Sequence, residues 1–105
     1  MISLEELMNE IINDCKSVLN DDNFSTPNKE VISIILREFT EIREFYILNK
    51  KILLLSNGNW KLWSIRTIID SADYSFDNEL FDKVRKFEKL CRILDPSLVV
   101  YKYQH

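Results

Sequence analysis

Four carboxylates gather in a short stretch of the chain, just before and inside a predicted helix. Asp70, Asp73 and Asp77 follow one another at intervals of three and four residues, and Glu79 comes two residues later. Carboxylates crowded into one pocket can hold a hard cation or exchange protons with a substrate. The same residues also suit the positive end of a helix dipole. We therefore interpret them first as a solvated helix cap and keep a carboxylate- or metal-dependent enzyme as an alternative.

Three basic residues form a second candidate site on the last predicted helix. Arg85, Lys89 and Arg92 share one helical face, nearly opposite its apolar positions. Such a face can contact phosphates or an acidic protein. No aromatic residues interleave with it, and a net charge of −3 has the wrong sign for general attraction to nucleic acid. A solvated face is the main interpretation, and weak nucleic-acid binding is the second alternative.

The residues of nucleophilic and cofactor chemistry are scarce in this chain. The one histidine is His105, which leaves little for Ser-His-Asp or Cys-His catalysis. Cys15 and Cys91 fall on apolar stripes and are expected to be buried thiols. The one glycine, Gly58, excludes the Gly-rich loops that cradle phosphates. We expect no enzyme activity, no cofactor and no metal.

Seven residues are the candidates for binding a protein partner. Acidic residues outnumber basic ones by six to one in the first 26 positions, so the first helix is suited to a basic partner. Tryptophan and tyrosine are enriched in interface hot spots, although both tryptophans also suit a core position beneath a turn. The candidates are Glu5, Glu6, Glu10, Trp60, Trp63, Tyr101 and Tyr103.

Two long amphipathic helices are predicted in the first half of the chain. Ser3 and Glu6 form a capping box, which predicts a helix over about 3–20. Thr26 followed by Pro27 predicts a second start, and apolar residues then repeat in steps of three and four to at least residue 48. Four further apolar residues widen the second stripe: Val31, Ile34, Phe45 and Leu48.

Residues 49–66 have two interpretations. The spacing of Phe45, Leu48 and Ile52 favours a continued helix that Gly58 ends as a left-handed cap. The Asn57-Gly58 pair favours a hairpin of residues 51–56 and 59–64 instead. We prefer the helix and keep the hairpin as the alternative.

The second half of the chain predicts two helices and an extended tail. A short helix is expected near residues 60–73. The last helix begins after Asp77 as its cap, carries an apolar stripe from Leu80 to Leu94 and stops at Asp95-Pro96. The tail from Ser97 to Tyr103 has strand-forming residues and is either a third strand of the hairpin sheet or an extended arm.

These elements predict a mainly α protein, a compact bundle of about four helices forming a single domain over 1–105. The alternative is α+β, with three helices and a hairpin or three-stranded sheet from 51–64 and 97–103. The start of the chain lacks a basic region, and apolar runs reach at most four residues, so we expect a cytoplasmic protein without a membrane segment. The function expected is that of a small protein-binding module: an inhibitor, an immunity or antitoxin-like protein, or a regulatory adaptor. The broad apolar stripe of the second helix is covered either by the three other helices or, if they do not suffice, by a second copy in a homodimer.

Overall fold

The computed structural model describes residues 3–21, 26–57 and 78–104. Within these ranges the chain is mainly helical, with one small parallel sheet of two strands. Its elements are α1 (Leu4–Leu19), α2 (Thr26–Asn49), β1 (Ile52–Asn57), α3 (Asn78–Arg92), a 3-10 turn (Pro96–Leu98) and β2 (Val99–Gln104). This architecture agrees with the α+β alternative rather than with the bundle of about four helices. The helix expected near 60–73 lies outside the described residues.

Helix α1 begins as its capping residues predict. The Ser3 hydroxyl oxygen accepts a hydrogen bond from the Glu6 amide at 3.1 Å. Glu5 and Glu6 occupy the first turn and Lys16 the last, so the charged side chains at both ends of α1 interact favourably with the helix dipole. One face of α1 is buried, as the apolar spacing indicates: Leu7, Met8, Ile11, Ile12, Cys15 and Val18.

The expected continuation of the second helix through residues 51–55 is wrong, because α2 ends at Asn49. The Lys50 amide donates to the Tyr46 carbonyl oxygen at 2.8 Å, and Lys50 then adopts φ 56°, in the left-handed region that often ends a helix. The Lys50 ammonium group also lies 5.8 Å from the centre of the Tyr46 ring. Lys50 therefore ends α2 in the left-handed conformation, which the sequence analysis had assigned to Gly58.

The segment after this turn is strand β1. Ile52, Leu53 and Leu54 are consecutive in sequence, and each is at most 5% exposed. Consecutive buried residues suit a strand that is covered on both faces, whereas a helix on the edge of a core buries only one side. The continuous apolar run therefore reports burial on both sides of a strand rather than a helical face.

Of the two interpretations of the tail, a strand or an extended arm, the strand is the one observed: the tail forms β2, which pairs with β1 in parallel register. Ile52 lies opposite Val99, and Asn57 lies opposite Gln104. Parallel strands need a crossover connection, and here that crossover contains α3. The second strand of the predicted hairpin, 59–64, lies outside the described residues. Asp95 caps the 3-10 turn before β2, since its Oδ1 accepts from the Ser97 amide at 3.0 Å, and this bond lowers the pKa of Asp95.

The core lies where the three helices meet. Phe39 of α2 and Phe87 of α3 are both fully buried, with their ring centres 5.0 Å apart in an edge-to-face arrangement. Helix α1 packs against both α2 and α3, and β1 packs against α2. The α2 and α3 stripes bury Ile32, Ile35, Ile42, Leu80, Phe81, Val84 and Cys91. Both apolar stripes therefore face the same core, as their spacing predicts.

Candidate functional site

Five of the seven predicted partner-binding residues lie in described elements, three in α1 and two in β2. Glu5 and Glu6 are exposed in the first turn of α1. The backbones of Tyr101 and Tyr103 lie in β2, opposite Leu54 and Ser56, and their side chains are outside what the structure describes. Trp60 and Trp63 also lie outside the described residues. Glu10, the third acid of α1, lies farther along that helix beside α3.

Glu10 belongs to an ion-pair cluster between α1 and α3. The Lys83 ammonium group lies 2.6 Å from Asp14 Oδ2 and 3.9 Å from Glu10 Oε1. The hydrogen bond with Asp14 is the main cause that raises the pKa of Lys83 above its ordinary 10.5, against a smaller opposing effect of burial. Lys83 therefore offsets part of the acidic charge that α1 presents, and Glu5 and Glu6 remain the more exposed acids.

This cluster gives a prediction for the Lys83→Met and Asp14→Asn variants. A double-mutant cycle at pH 7 is expected to give a coupling of about 0.5–1 kcal/mol, since both side chains are only partly buried. Because the pKa of folded Lys83 is raised above 10.5, the coupling persists below that pH and is lost as the pH rises through the folded pKa. Urea unfolding of the four proteins at pH 7 and at about pH 11.5 measures both quantities.

The matched control is the pair of Arg92 and Glu88 on α3, whose atoms lie 3.5 Å apart. Arginine stays protonated at the higher pH, so this coupling, about 0.2–0.5 kcal/mol, is expected to be unchanged there. A Lys83–Asp14 coupling that does not decline between the two pH values contradicts the assignment.

The ends of the helices meet on one side of the molecule. The Arg43 Nη1 group donates to Asn9 Oδ1 at 3.1 Å. Six residues join α1 to α2, so the two helices run antiparallel, and the first turn of α1 lies beside the last turn of α2. Helix α2 is followed by β1 after two residues, and α3 by β2 after six residues that include the 3-10 turn. The two strands are parallel and begin opposite each other at Ile52 and Val99. The last turns of α2 and α3 and the start of α1 therefore share one end of the fold.

This end carries the exposed large apolar side chains of the described residues. Leu48 is 82% exposed, Ile93 79%, Ile47 49% and Leu98 40%. Ile47 and Leu48 lie in the last turn of α2, whereas Ile93 and Leu98 lie between the end of α3 and the start of β2. We call these four residues the apolar end. A group of exposed apolar side chains on a small protein is typical of an interaction site.

Sequence reasoning missed the apolar end because it assigned Leu48 to the buried stripe of α2. Leu48 follows Phe39 by nine residues, which places it about 180° around the helix from that buried ring. The other three residues that widen the stripe are at least partly buried: Val31, Ile34 and Phe45. The periodicity to Ile52 suggested burial, but the helix stops before Ile52 is reached.

Glu38 is a second feature that the sequence argument did not single out. Its carboxylate is on α2 beside Phe39, and the residue is only 3% exposed. It takes part in a polar or electrostatic interaction. At 100° per residue, Glu38 lies about 40° around the helix axis from the buried Ile42. Its burial could therefore have been predicted from its position in the sequence of α2. A buried carboxylate of this kind must be stabilised by its surroundings, because desolvating a charge is costly.

Arg43 is partly buried between α1 and α2. Its Nη1 group binds Asn9, and its Nε atom is buried without a hydrogen-bond partner among the described residues. Its guanidinium group therefore joins two helices.

The other candidate chemistries receive little support from the described residues. Glu79 is exposed, Asp70, Asp73 and Asp77 lie outside those residues, and no group of three or more His, Cys, Asp or Glu within them could hold a metal ion. Of the basic stripe, Arg85 lies 3.2 Å from Asp82, and Arg92 is paired with Glu88.

The two cysteines are buried and free, as expected. Burial is the main cause that raises the pKa of Cys91 to about 12, and the nearby Glu88 carboxylate adds to it. The Cys91 thiol is therefore protonated at neutral pH and is a poor nucleophile.

Comparisons of the chain with protein-family models, with curated proteins and with solved structures gave no match in any of the three. Within the described ranges, no helix combines the length and the apolar character that crossing a bilayer requires.

Proposed function

We propose that this chain is a non-enzymatic protein-binding module that contacts its partner through the apolar end. The observation that supports the proposal is the exposure of Ile47, Leu48, Ile93 and Leu98, which the element order and strand register assign to the end of the fold where α2 and α3 stop. Leaving Leu48 and Ile93 in water forgoes up to about 1.5–3 kcal/mol each, and the half-exposed Ile47 and Leu98 forgo less. A protein partner that covers these side chains recovers part of this free energy. An inhibitor, an immunity or antitoxin-like protein, or a regulatory adaptor acts through such a surface.

The charged residues around the apolar end fit the same proposal. Glu5 and Glu6 begin α1, and Lys50 and Lys51 follow α2, all four being exposed. A hydrophobic centre with a polar rim is the usual composition of a protein interface. The acidic pair keeps the role predicted for it, that of meeting basic groups on a partner.

The test compares the full chain with its Leu48→Asp variant as immobilised bait for a lysate of the source cells. We expect the wild-type chain to retain one or a few proteins and the variant to lose them, because an unpaired carboxylate at the centre of an interface is costly to desolvate. Mass spectrometry of the bound fraction, after chemical crosslinking, measures the difference.

The matched control is Ser33→Asp, which adds the same charge at an exposed position near the other end of α2. This control is expected to retain the same proteins as the wild type. Retention of one identical set by all three baits contradicts the proposal, as does retention of nothing by the wild type.

A further inference from the structure

The solvent side of α3 is basic over its last two turns. Every residue that is exposed between Arg85 and the end of this helix is a lysine or an arginine. At 100° per residue these side chains lie within an arc of about 120°, nearly opposite the buried Phe87. Lys86 is an addition to the three bases predicted from sequence. We call the four residues the basic face: Arg85, Lys86, Lys89 and Arg92.

Acids beside the basic face offset only part of its charge. Its two arginines are each held by one carboxylate of α3, Asp82 at 3.2 Å and Glu88 at 3.5 Å. Its two lysines form no ion pair with any residue in the described ranges. The next acid along the chain, Asp95, lies beyond the end of α3 and caps the 3-10 turn. The four bases of the face therefore exceed the two acids that are paired with them.

The helix dipole explains only half of this surface. Bases in the last turn of a helix are stabilised by the negative end of its dipole, and Lys89 and Arg92 occupy that turn. The effect fades within one turn, so it does not account for the bases at Arg85 and Lys86. Neither the dipole nor an ion pair with a described residue thus explains the charge of Lys86. This charge is free to attract an anion.

The dimensions of the basic face indicate the size of the anion. Arg85 and Arg92 are seven residues apart, a distance of about 10 Å along α3. About three to four residues of extended peptide span the same length. A nucleic-acid duplex extends beyond this face, and about 60° around α3 from its edge Lys83 is shared by two acids of α1, Glu10 and Asp14. A short acidic segment therefore fits the face better than a long polyanion does.

We propose that the basic face binds a short acidic segment of a partner protein, with Lys86 and Lys89 as its main contacts. The carboxylates of this segment form exposed ion pairs with the two lysines, which are individually weak. Such contacts raise the rate of association and select the orientation of the partner more than they add affinity. The basic face shares no residue with the apolar end, so this inference goes beyond the proposed function.

Fluorescence anisotropy of a labelled glutamate peptide of about eight residues, titrated with the purified full chain, tests this proposal. We expect binding that weakens at least about fivefold between about 20 and about 150 mM salt, because salt screens exposed charges. The variant K86Q/K89Q is expected to bind the peptide about fivefold more weakly at low salt, since two ion pairs are lost.

The matched control is K16Q/K51Q, which removes the same charge from two exposed lysines outside α3. It is expected to bind within about twofold of the wild type, because exposed charges farther away than the Debye length are screened. Circular dichroism verifies that all variants are folded.

Three outcomes overturn the proposal. The first is a chain that does not bind the glutamate peptide at low salt, and the second is an equal loss in both lysine variants, which indicates general charge attraction. The third is a DNA duplex of equal charge that binds more tightly than the peptide and loses its binding in K86Q/K89Q. The peptide has no apolar side chains, so these results are independent of the loss of lysate proteins expected for Leu48→Asp.

Discussion

Replacement of Phe39 by alanine is expected to lower the free energy of unfolding by about 3–5 kcal/mol. The Phe39 side chain is fully buried, and its ring meets that of Phe87 edge to face at 5.0 Å. The substitution removes buried apolar area, leaves a cavity between α2 and α3 and loses the aromatic contact. Since small domains are stable by only about 5–15 kcal/mol, this is a large fraction of the total. Urea unfolding followed by far-ultraviolet circular dichroism measures the loss.

The matched control for this variant is Leu48→Ala on the same helix. Leu48 is 82% exposed, so its truncation is expected to change the free energy of unfolding of the monomer by less than about 0.5 kcal/mol. The comparison is made at a protein concentration low enough that self-association does not contribute. Equal losses for the two variants would mean that Phe39 does not lie in the core.

Replacement of Glu38 by alanine is expected to cost about 2–4 kcal/mol of stability. Glu38 is buried on α2 and takes part in a polar or electrostatic interaction, so truncation leaves the interacting group without the carboxylate and also opens a cavity. Glu38→Gln keeps the volume of the side chain and is expected to lose less, because the amide still forms neutral hydrogen bonds. Urea unfolding at pH 7 ranks the two variants.

The control for Glu38 is Glu41→Ala, which removes an exposed carboxylate one turn farther along α2. Its effect is expected to stay within about 0.5 kcal/mol. If Glu38→Ala were as mild as this control, the carboxylate would not be a structural part of the core.

The helices could be predicted from sequence because their signals are local. Ser3 caps α1 through a bond to the Glu6 amide, three residues away, and the buried face of α1 repeats every three to four residues. The apolar stripe from Leu80 to Cys91 likewise lies in this last helix, α3, which ends at Arg92, three residues before the predicted stop at Asp95-Pro96. Each of these features depends on neighbours within one or two helical turns.

The sheet could not be predicted from the same kind of signal. Whether Ile52–Leu54 form helix or strand depends on what covers their two faces, and the tail that pairs with them is distant in sequence. The parallel direction of this pair follows from the crossover through α3, which no local pattern reports. The turn that separates α2 from β1 uses Lys50 at positive φ, a conformation for which glycine or asparagine is the usual indicator.

The part of the candidate site that depends on local sequence could be predicted, and the part that depends on distant elements could not. The exposure of Glu5 and Glu6 follows from their place in an amphipathic helix. The exposure of Leu48 and Ile93 does not, because it arises where two separate helices stop at the same end of the fold. Apolar residues in a last turn look like core residues until the neighbouring elements are known.

The parallel pairing of β1 and β2 has a consequence for the nascent chain during translation. Residue 52 is paired with residue 99, so β1 leaves the ribosome 47 positions ahead of its neighbour. At about 5–20 residues per second, the delay before β2 has been made is roughly 2–10 s. Throughout that interval the apolar residues Ile52–Leu54 have no β2 strand to pair with, so their backbone amides are available for pairing with other nascent chains. Protection by chaperones is therefore needed most before β2 has been synthesised. Slower translation after β1 would lengthen this interval and favour aggregation.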